Sequence, residues 1–217
     1  MSLTIKICGL SDPAAVEAAV ERGADMVGFV FFPKSPRNVA VEAAAALAAR
    51  VPERVACVGL FVDPDDALLA RVLDQVPLSI IQLHGKETPA RCADVRARFG
   101  RPVMKALGVA TAEDLAGAKA YEGPADRLLL DAKPPEGADR PGGNAAAFDW
   151  MILKDGRRPT IPWLLAGGLT PDNAASAVRL ARPPGLDVSS GVETGGAGRK
   201  DPEKIRRFLE AARRAAA

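Results

Sequence analysis

The sequence predicts a (β/α)8 barrel, on three observations. Eight short apolar, β-branched runs alternate with Ala-rich amphipathic stretches along 217 residues. The alternation repeats at a period of about 25 residues, which suits a closed eight-fold barrel better than an open doubly wound sheet. The runs are apolar throughout, as strands buried on both faces are, and strands alternating with helices make a parallel sheet because each crossover needs a helix to return the chain. The expected domain is one unit over residues 1–217.

The first run, Thr4-Ile5-Lys6-Ile7-Cys8, ends at Gly9 before a helix start at Asp12-Pro13. Alternation puts Ile5 and Ile7 on one face and Lys6 and Cys8 on the other. Cys8 thus sits at the carboxyl end of a strand, where parallel sheets meet their ligands; the plainer reading is a small buried hydrophobe. The later runs are Met26–Phe31, Arg54–Val62, Leu78–Leu83, Pro102–Leu107, Arg127–Asp131, Ile161–Ala166 and Leu186–Ser189. Helices are expected near 12–22, 41–50, 64–75, 88–99, 111–121, 148–155, 171–182 and 202–215. Five starts, Asp12-Pro13, Asp63-Pro64, Thr88-Pro89, Thr170-Pro171 and Asp201-Pro202, place a capping side chain before a proline whose missing N–H costs nothing at the first helical position. Gly23, Gly100 and Gly123 sit where helices should stop. The long Pro- and Gly-rich stretch from Ala132 to Ala147 follows strand 6 and reads as a functional loop.

Composition excludes several function classes. With 29 basic and 27 acidic residues the net charge is +2, no general basis for nucleic-acid or membrane binding. Three cysteines without a CxxC spacing argue against a disulfide framework or zinc knuckle, and a single histidine argues against a His-based metal site. The chain shows no leader pattern and no apolar run near the roughly 18 residues of a membrane span. The expected setting is a reducing cytoplasm.

In a barrel, chemistry gathers where strands end. Those ends carry Cys8, the Lys34-Ser35-Pro36-Arg37 loop, Asp63, Gln82, His84, Asp131, Gly167-Gly168 and the run Asp187 to Gly191. Gly167 and Gly168 after strand 7, with Ser190 and Gly191 after strand 8, fit a phosphate cup, since small residues admit a ligand close to backbone N–H groups. Arg37 is either a solvated charge or a fork for a substrate carboxylate. Asp131 is either an ion-pair partner of Lys6 or Lys105, or an acid tuned by burial. His84 either orients substrate or caps the Thr88 turn. Cys57 and Cys92 read as packing residues.

Taken in order, Lys6-Ile7-Cys8-Gly9, Gly28-Phe29-Val30-Phe31, Ser35-Pro36-Arg37, Gln82-Leu83-His84-Gly85, Leu128-Leu129-Leu130-Asp131, Phe148-Asp149-Trp150, Leu165-Ala166-Gly167-Gly168-Leu169 and Asp187-Val188-Ser189-Ser190-Gly191-Val192-Glu193 resemble the phosphoribosylanthranilate isomerase family of tryptophan biosynthesis. The resemblance implies a barrel without metal or organic cofactor, acting alone or as a homodimer on a small phosphorylated substrate. It implies an Amadori rearrangement of an aminoaldose to a 1-deoxyketose, with the general base on Cys8, the general acid on Asp131, the anthranilate carboxylate on Arg37, and phosphate on Gly167, Gly168, Ser190 and Gly191. One departure, Gly142-Gly143-Asn144-Ala145-Ala146-Ala147 where the family has a further glycine, bears on loop closure and substrate affinity. Competing readings are another phosphate-binding barrel enzyme of tryptophan or histidine biosynthesis, and a non-catalytic sugar-phosphate binder, which would lack the acid or base.

Overall fold

The computed structural model describes residues 3–133, 142, 148–153 and 158–217. Eight parallel strands close in sequence order: β1 (Thr4–Cys8), β2 (Met26–Phe31), β3 (Ala56–Phe61), β4 (Ile80–Leu83), β5 (Val103–Val109), β6 (Arg127–Ala132), β7 (Trp163–Leu165) and β8 (Gly185–Val188), with β8 pairing back to β1. Around them run α1 (Pro13–Glu21), α2 (Val41–Ala48), α3 (Asp66–Gln75), α4 (Pro89–Phe99), α5 (Ala112–Ala118), α6 (Ala174–Ala181) and α7 (Pro202–Ala216).

The two-residue alternation of each strand divides the apolar residues into two compartments. Met26, Val58, Ile80, Met104, Ala106, Leu129, Leu164 and Ala166 form one cluster inside the barrel. Ile5, Ile7, Val27, Phe29, Cys57, Phe61, Ile81, Leu83, Leu128 and Leu130 form the other, packed with the helices. Lys6 and Cys8 point inward, as the alternation predicts: a Cβ on Gly28 of the neighbouring strand would stand 3.0 Å from Cys8 Sγ and 3.3 Å from Lys6 Cε. The barrel filling is therefore apolar below and polar above, toward the strand ends.

The capping rule holds at α1, α4 and α7, where Asp12, Thr88 and Asp201 accept the expected backbone N–H bonds. It fails at two of the five starts. Asp63 (φ +46°) turns its carboxylate to Lys86 N at 2.6 Å, and Asp65 caps α3 instead, accepting from Leu68 N at 2.7 Å. At Thr170-Pro171 the chain makes a turn, because Asn173 folds back, accepting from Thr170 N at 2.8 Å and donating to Gly168 O at 2.9 Å; α6 then starts at Ala174. The helix expected at 148–155 is a 3-10 turn over Trp150–Leu153, started by Asp149 Oδ1 accepting from Met151 N. Residues 154–157, and all but Ala132, Lys133 and Gly142 of the loop expected to be functional, lie outside the described residues.

Helix α7 locks the first strand. Its buried stripe is Ile205, Phe208, Leu209 and Ala212. Arg213 then reaches under the barrel to Leu3 O, Gly23 O and Asp25 Oδ2, while Asp25 Oδ2 also accepts from Ile5 N at 2.6 Å.

Candidate active site

The upper interior of the barrel carries buried charged side chains from several strands. Lys6 is fully buried and donates to Asp187 Oδ1 at 2.8 Å. Burial works against its ammonium, but the Asp187 carboxylate and Cys8 outweigh that and hold its pKa above the ordinary lysine value. The Cys8 thiol is pushed up by burial; Lys6 pulls it down and Asp187 adds to the rise. The dry barrel interior, together with Asp187, thus outweighs the neighbouring ammonium.

Asp131, at the inner end of β6, accepts from its neighbour Ala132 N at 2.9 Å and lies 3.3 Å from His84 Nε2. It pairs with neither lysine: Lys6 belongs to Asp187, and Lys105 donates to Glu87 Oε2 at 2.7 Å and to Gly85 O at 2.7 Å. Glu87 in turn accepts from Asp63 N and Gly85 N, so this buried pair holds the loop after β4 in place. His84 rides on that loop with Nδ1 3.1 Å from Gln82 Nε2. It therefore faces Asp131 and does not cap the Thr88 turn. Gln82 Oε1 is buried with no hydrogen-bond partner among the described residues. A Cβ on Gly142 would stand 2.7 Å from Asp131 Oδ2 and 2.8 Å from His84 Nε2, so Gly142 lies against this carboxyl and imidazole.

Arg37 is 5% exposed, so of its two readings the solvated charge is excluded. Its Nε and Nη2 donate to Glu193 Oε1 and Oε2 at 2.6 and 2.9 Å. Gly9, at φ +74°, makes room for it: a Cβ there would meet Arg37 Cδ at 2.7 Å. Lys200 Nζ completes the cluster, donating to Glu193 Oε1 at 2.7 Å, Ser189 O at 2.9 Å and Ser189 Oγ at 3.2 Å.

The ends of β1, β4, β6, β7 and β8 and the loop carrying Arg37 open onto one cavity. Its walls include Cys8, Arg37, His84, Asp131, Gly142, Gly167, Gly168, Asp187 and Ser190. Gly167 and Gly168 adopt φ of +84° and +60°, which keeps the wall free of side chains. Gly191 does not line the cavity. It stands behind the cup, where a Cβ would fall 1.8 Å from Leu169 O and drive the loops after β7 and β8 apart. Of the residues singled out in the sequence, then, Cys8, Arg37, His84, Asp131, Gly167, Gly168 and Ser190 converge on the cavity, and Gly191 supports it. Cys57 and Cys92 are buried away from it, their thiols pushed up to about 11 by burial. Among the described residues no cluster of His, Cys, Asp or Glu could hold a metal ion.

Glu193, Lys200 and the Lys6–Asp187 pairing were not assigned roles from the sequence. Asp187 and Glu193 sit in strand-8 motif positions, but their partners are 181 and 156 residues away. Lys200 looks like a surface lysine before Asp201-Pro202.

Residues 5–211 match the family model for N-(5'-phosphoribosyl)anthranilate (PRA) isomerase. The chain is 60% identical over 209 residues to the N-(5'-phosphoribosyl)anthranilate isomerase of Paracoccus denitrificans, covering 96% of each chain, and 56% identical to that of Paramagnetospirillum magneticum, covering 98% of each. Among solved structures it resembles phosphoribosyl anthranilate isomerase from Thermotoga maritima, with a TM-score of 0.85, 37% identity and coverage of 97% and 98%. A second such structure is in complex with reduced 1-(o-carboxyphenylamino)-1-deoxyribulose 5-phosphate (TM-score 0.82, 35% identity, coverage 97% and 98%).

Proposed function

From the premise that this chain belongs to the N-(5'-phosphoribosyl)anthranilate isomerase family, and so is an aldose–ketose isomerase of tryptophan biosynthesis, we propose that Cys8 is its general base and Asp131 its general acid. Arg37 receives the anthranilate carboxylate. Gly167, Gly168 and Ser190 receive the phosphate, with Gly191 behind them, and His84 steadies the acid. The observation that carries this reading is that the Cys8 thiol and the Asp131 carboxyl, on strands far apart in the sequence, line the same cavity together with Arg37 and the two glycine loops.

The chemistry follows from those positions. Asp131 gives a proton to the furanose ring oxygen as the C1′–O bond breaks, and the electron pair left on nitrogen closes the C1′=N iminium. That cation acidifies C2′–H, and the Cys8 thiolate takes the proton to leave an enolamine. Ketonisation then delivers a proton to C1′ while the C2′ hydroxyl gives one up, so thiolate and carboxylic acid are restored. Positioned acid and base groups typically contribute about 10² to 10⁴-fold each.

Every residue named comes from a single chain; a relative from Thermotoga maritima is described as dimeric. We assign the enzyme to the cytoplasm, in keeping with its three free cysteines. No helix among the described residues is long and apolar enough to cross a membrane. Loss of the fluorescence of N-(5'-phosphoribosyl)anthranilate on adding purified protein tests the activity. A purified, folded protein that leaves that fluorescence unchanged contradicts it.

A further inference from the structure

We propose that Lys200, acting through Glu193 and Arg37, makes this site selective for a substrate that bears a carboxylate. The proposal rests on the reading of Arg37 as the carboxylate's partner and adds a positioning residue that never touches the ligand.

Three charges are packed together at the cavity wall. Glu193 lies between Arg37 and Lys200, accepting two bonds from the first and one from the second. The Gly198 N–H adds a fourth bond to the same carboxylate, and Lys204 donates to the Glu193 carbonyl at 2.6 Å. Burial opposes the Glu193 charge, but Arg37 and Lys200 outweigh it and hold the carboxyl below its ordinary range. Lys200 is itself 4% exposed. Its Nζ meets three acceptors, and Ser189 Oγ spends its own proton on Cys8 O at 3.1 Å. A neutral amine has two protons to donate, so three donated bonds call for an ammonium; burial and Arg37 pull the Lys200 pKa below the ordinary lysine value, and the bond and charge of Glu193 oppose them.

The consequence is a charge imbalance. Among the three contacting side chains, one carboxylate against two cations leaves one positive charge in excess, which the Cys8 charge near Lys200 offsets only when that thiol is ionised. Uncompensated buried charge is unfavourable, and it lowers its free energy by taking up an anion. Glu193 occupies Nε and one proton of Nη2 on Arg37, which leaves three of the five guanidinium donors for a ligand, and Arg37 lines the cavity. Without Lys200, Glu193 would neutralise Arg37 and the ligand carboxylate would meet a cluster of no net charge. Glu193 thus fixes the direction of the fork, and Lys200 restores the charge that Glu193 cancels.

Two probes read this directly: reduced 1-(o-carboxyphenylamino)-1-deoxyribulose 5-phosphate, and the same compound lacking the carboxyl group. The quantity measured is the ratio of their dissociation constants by calorimetry. Lys200→Gln keeps an N–H donor for Ser189 O and removes the charge; Lys200→Met keeps the shape in a buried slot should the glutamine variant fold poorly. We expect each to cut the wild-type preference for the carboxylated probe by about tenfold or more, the scale of one hydrogen bond to a charged group. Arg37→Ala should cut it at least as far. If Arg37→Ala lowers the preference and both Lys200 variants retain it, the proposal is overturned and the reading of Arg37 stands. If the Lys200 variants weaken both probes equally, Lys200 is a structural support only and the proposal is again overturned. If Arg37→Ala itself retains the preference, the carboxylate lies elsewhere and both readings fail.

Discussion

The chemistry proposed for Cys8 is set by two neighbours of opposite sign, and they can be separated. Burial raises the thiol, Lys6 lowers it and Asp187 raises it. Thiolate is the working form, so kcat/KM should climb with pH as Cys8 ionises. Removing the ammonium in Lys6→Met should move that climb to higher pH, and Asp187→Asn should move it to lower pH; a pH–rate profile of each variant checks both signs. Both variants should also unfold more easily, by about 3–5 kcal/mol, because each strands one buried polar partner of the pair. Arg37→Ala should raise KM by about tenfold or more with a smaller change in kcat, measured by steady-state kinetics, because a carboxylate held in ground and transition state alike contributes binding and not rate. At this scale the sequence was informative about which residues stand at the strand ends and silent about which partner each has. Asp131 had two lysines to choose from and takes neither, because Lys105 reaches Glu87 through the loop after β4 and Lys6 reaches Asp187 across the β1–β8 seam. The Lys6–Asp187 pairing comes from barrel closure, which no local pattern encodes, whereas alternation with Met104 and Ala106 turns Lys105 away from the interior.

At the scale of elements, the loops after β7 and β8 act as one unit. Gly191 lets Leu169 O approach, Asn173 fixes Gly168 O, and Lys200 holds Ser189 O. Gly191→Ala should therefore force the two loops apart and raise KM for the phosphorylated substrate while the protein stays folded; an unchanged KM in steady-state kinetics would show that the loops do not share the phosphate. Inorganic phosphate should raise the melting temperature, since a ligand at a hundred times its Kd stabilises by about 2.7 kcal/mol, and Gly191→Ala should blunt that rise. The strands were the most legible elements: β1 and β2 fall on the expected bounds because short runs rich in β-branched and aromatic residues, closed by turn residues, favour a strand. Helix starts were legible where Asp or Thr precedes Pro and nothing else competes for the side chain. At Asp63 the amide of Lys86 competes and wins, and at Thr170 the back-folded Asn173 does. Those two departures fall beside the cavity, where loop geometry serves the site before it serves the helix.

For the whole molecule, the barrel closes through β1, β8 and the last helix, so stability and site geometry share the same seam. Deleting α7 exposes Ile205, Phe208, Leu209 and Ala212 and removes the clasp of Arg213 on Leu3, Gly23 and Asp25; the shortened chain should fail to fold, read as loss of a cooperative thermal transition. The eight-fold architecture was legible from alternation alone, because a parallel sheet leaves no short return and each strand must be followed by a crossover. The same architecture lets residues 123 positions apart, Cys8 and Asp131, line one cavity. The most direct measurement is kcat for Cys8→Ser and Asp131→Asn beside the Kd of each for the reduced product analogue. The account predicts that each kcat falls by about 10² or more while each Kd stays within about threefold. Turnover near the wild-type value in either variant would contradict it.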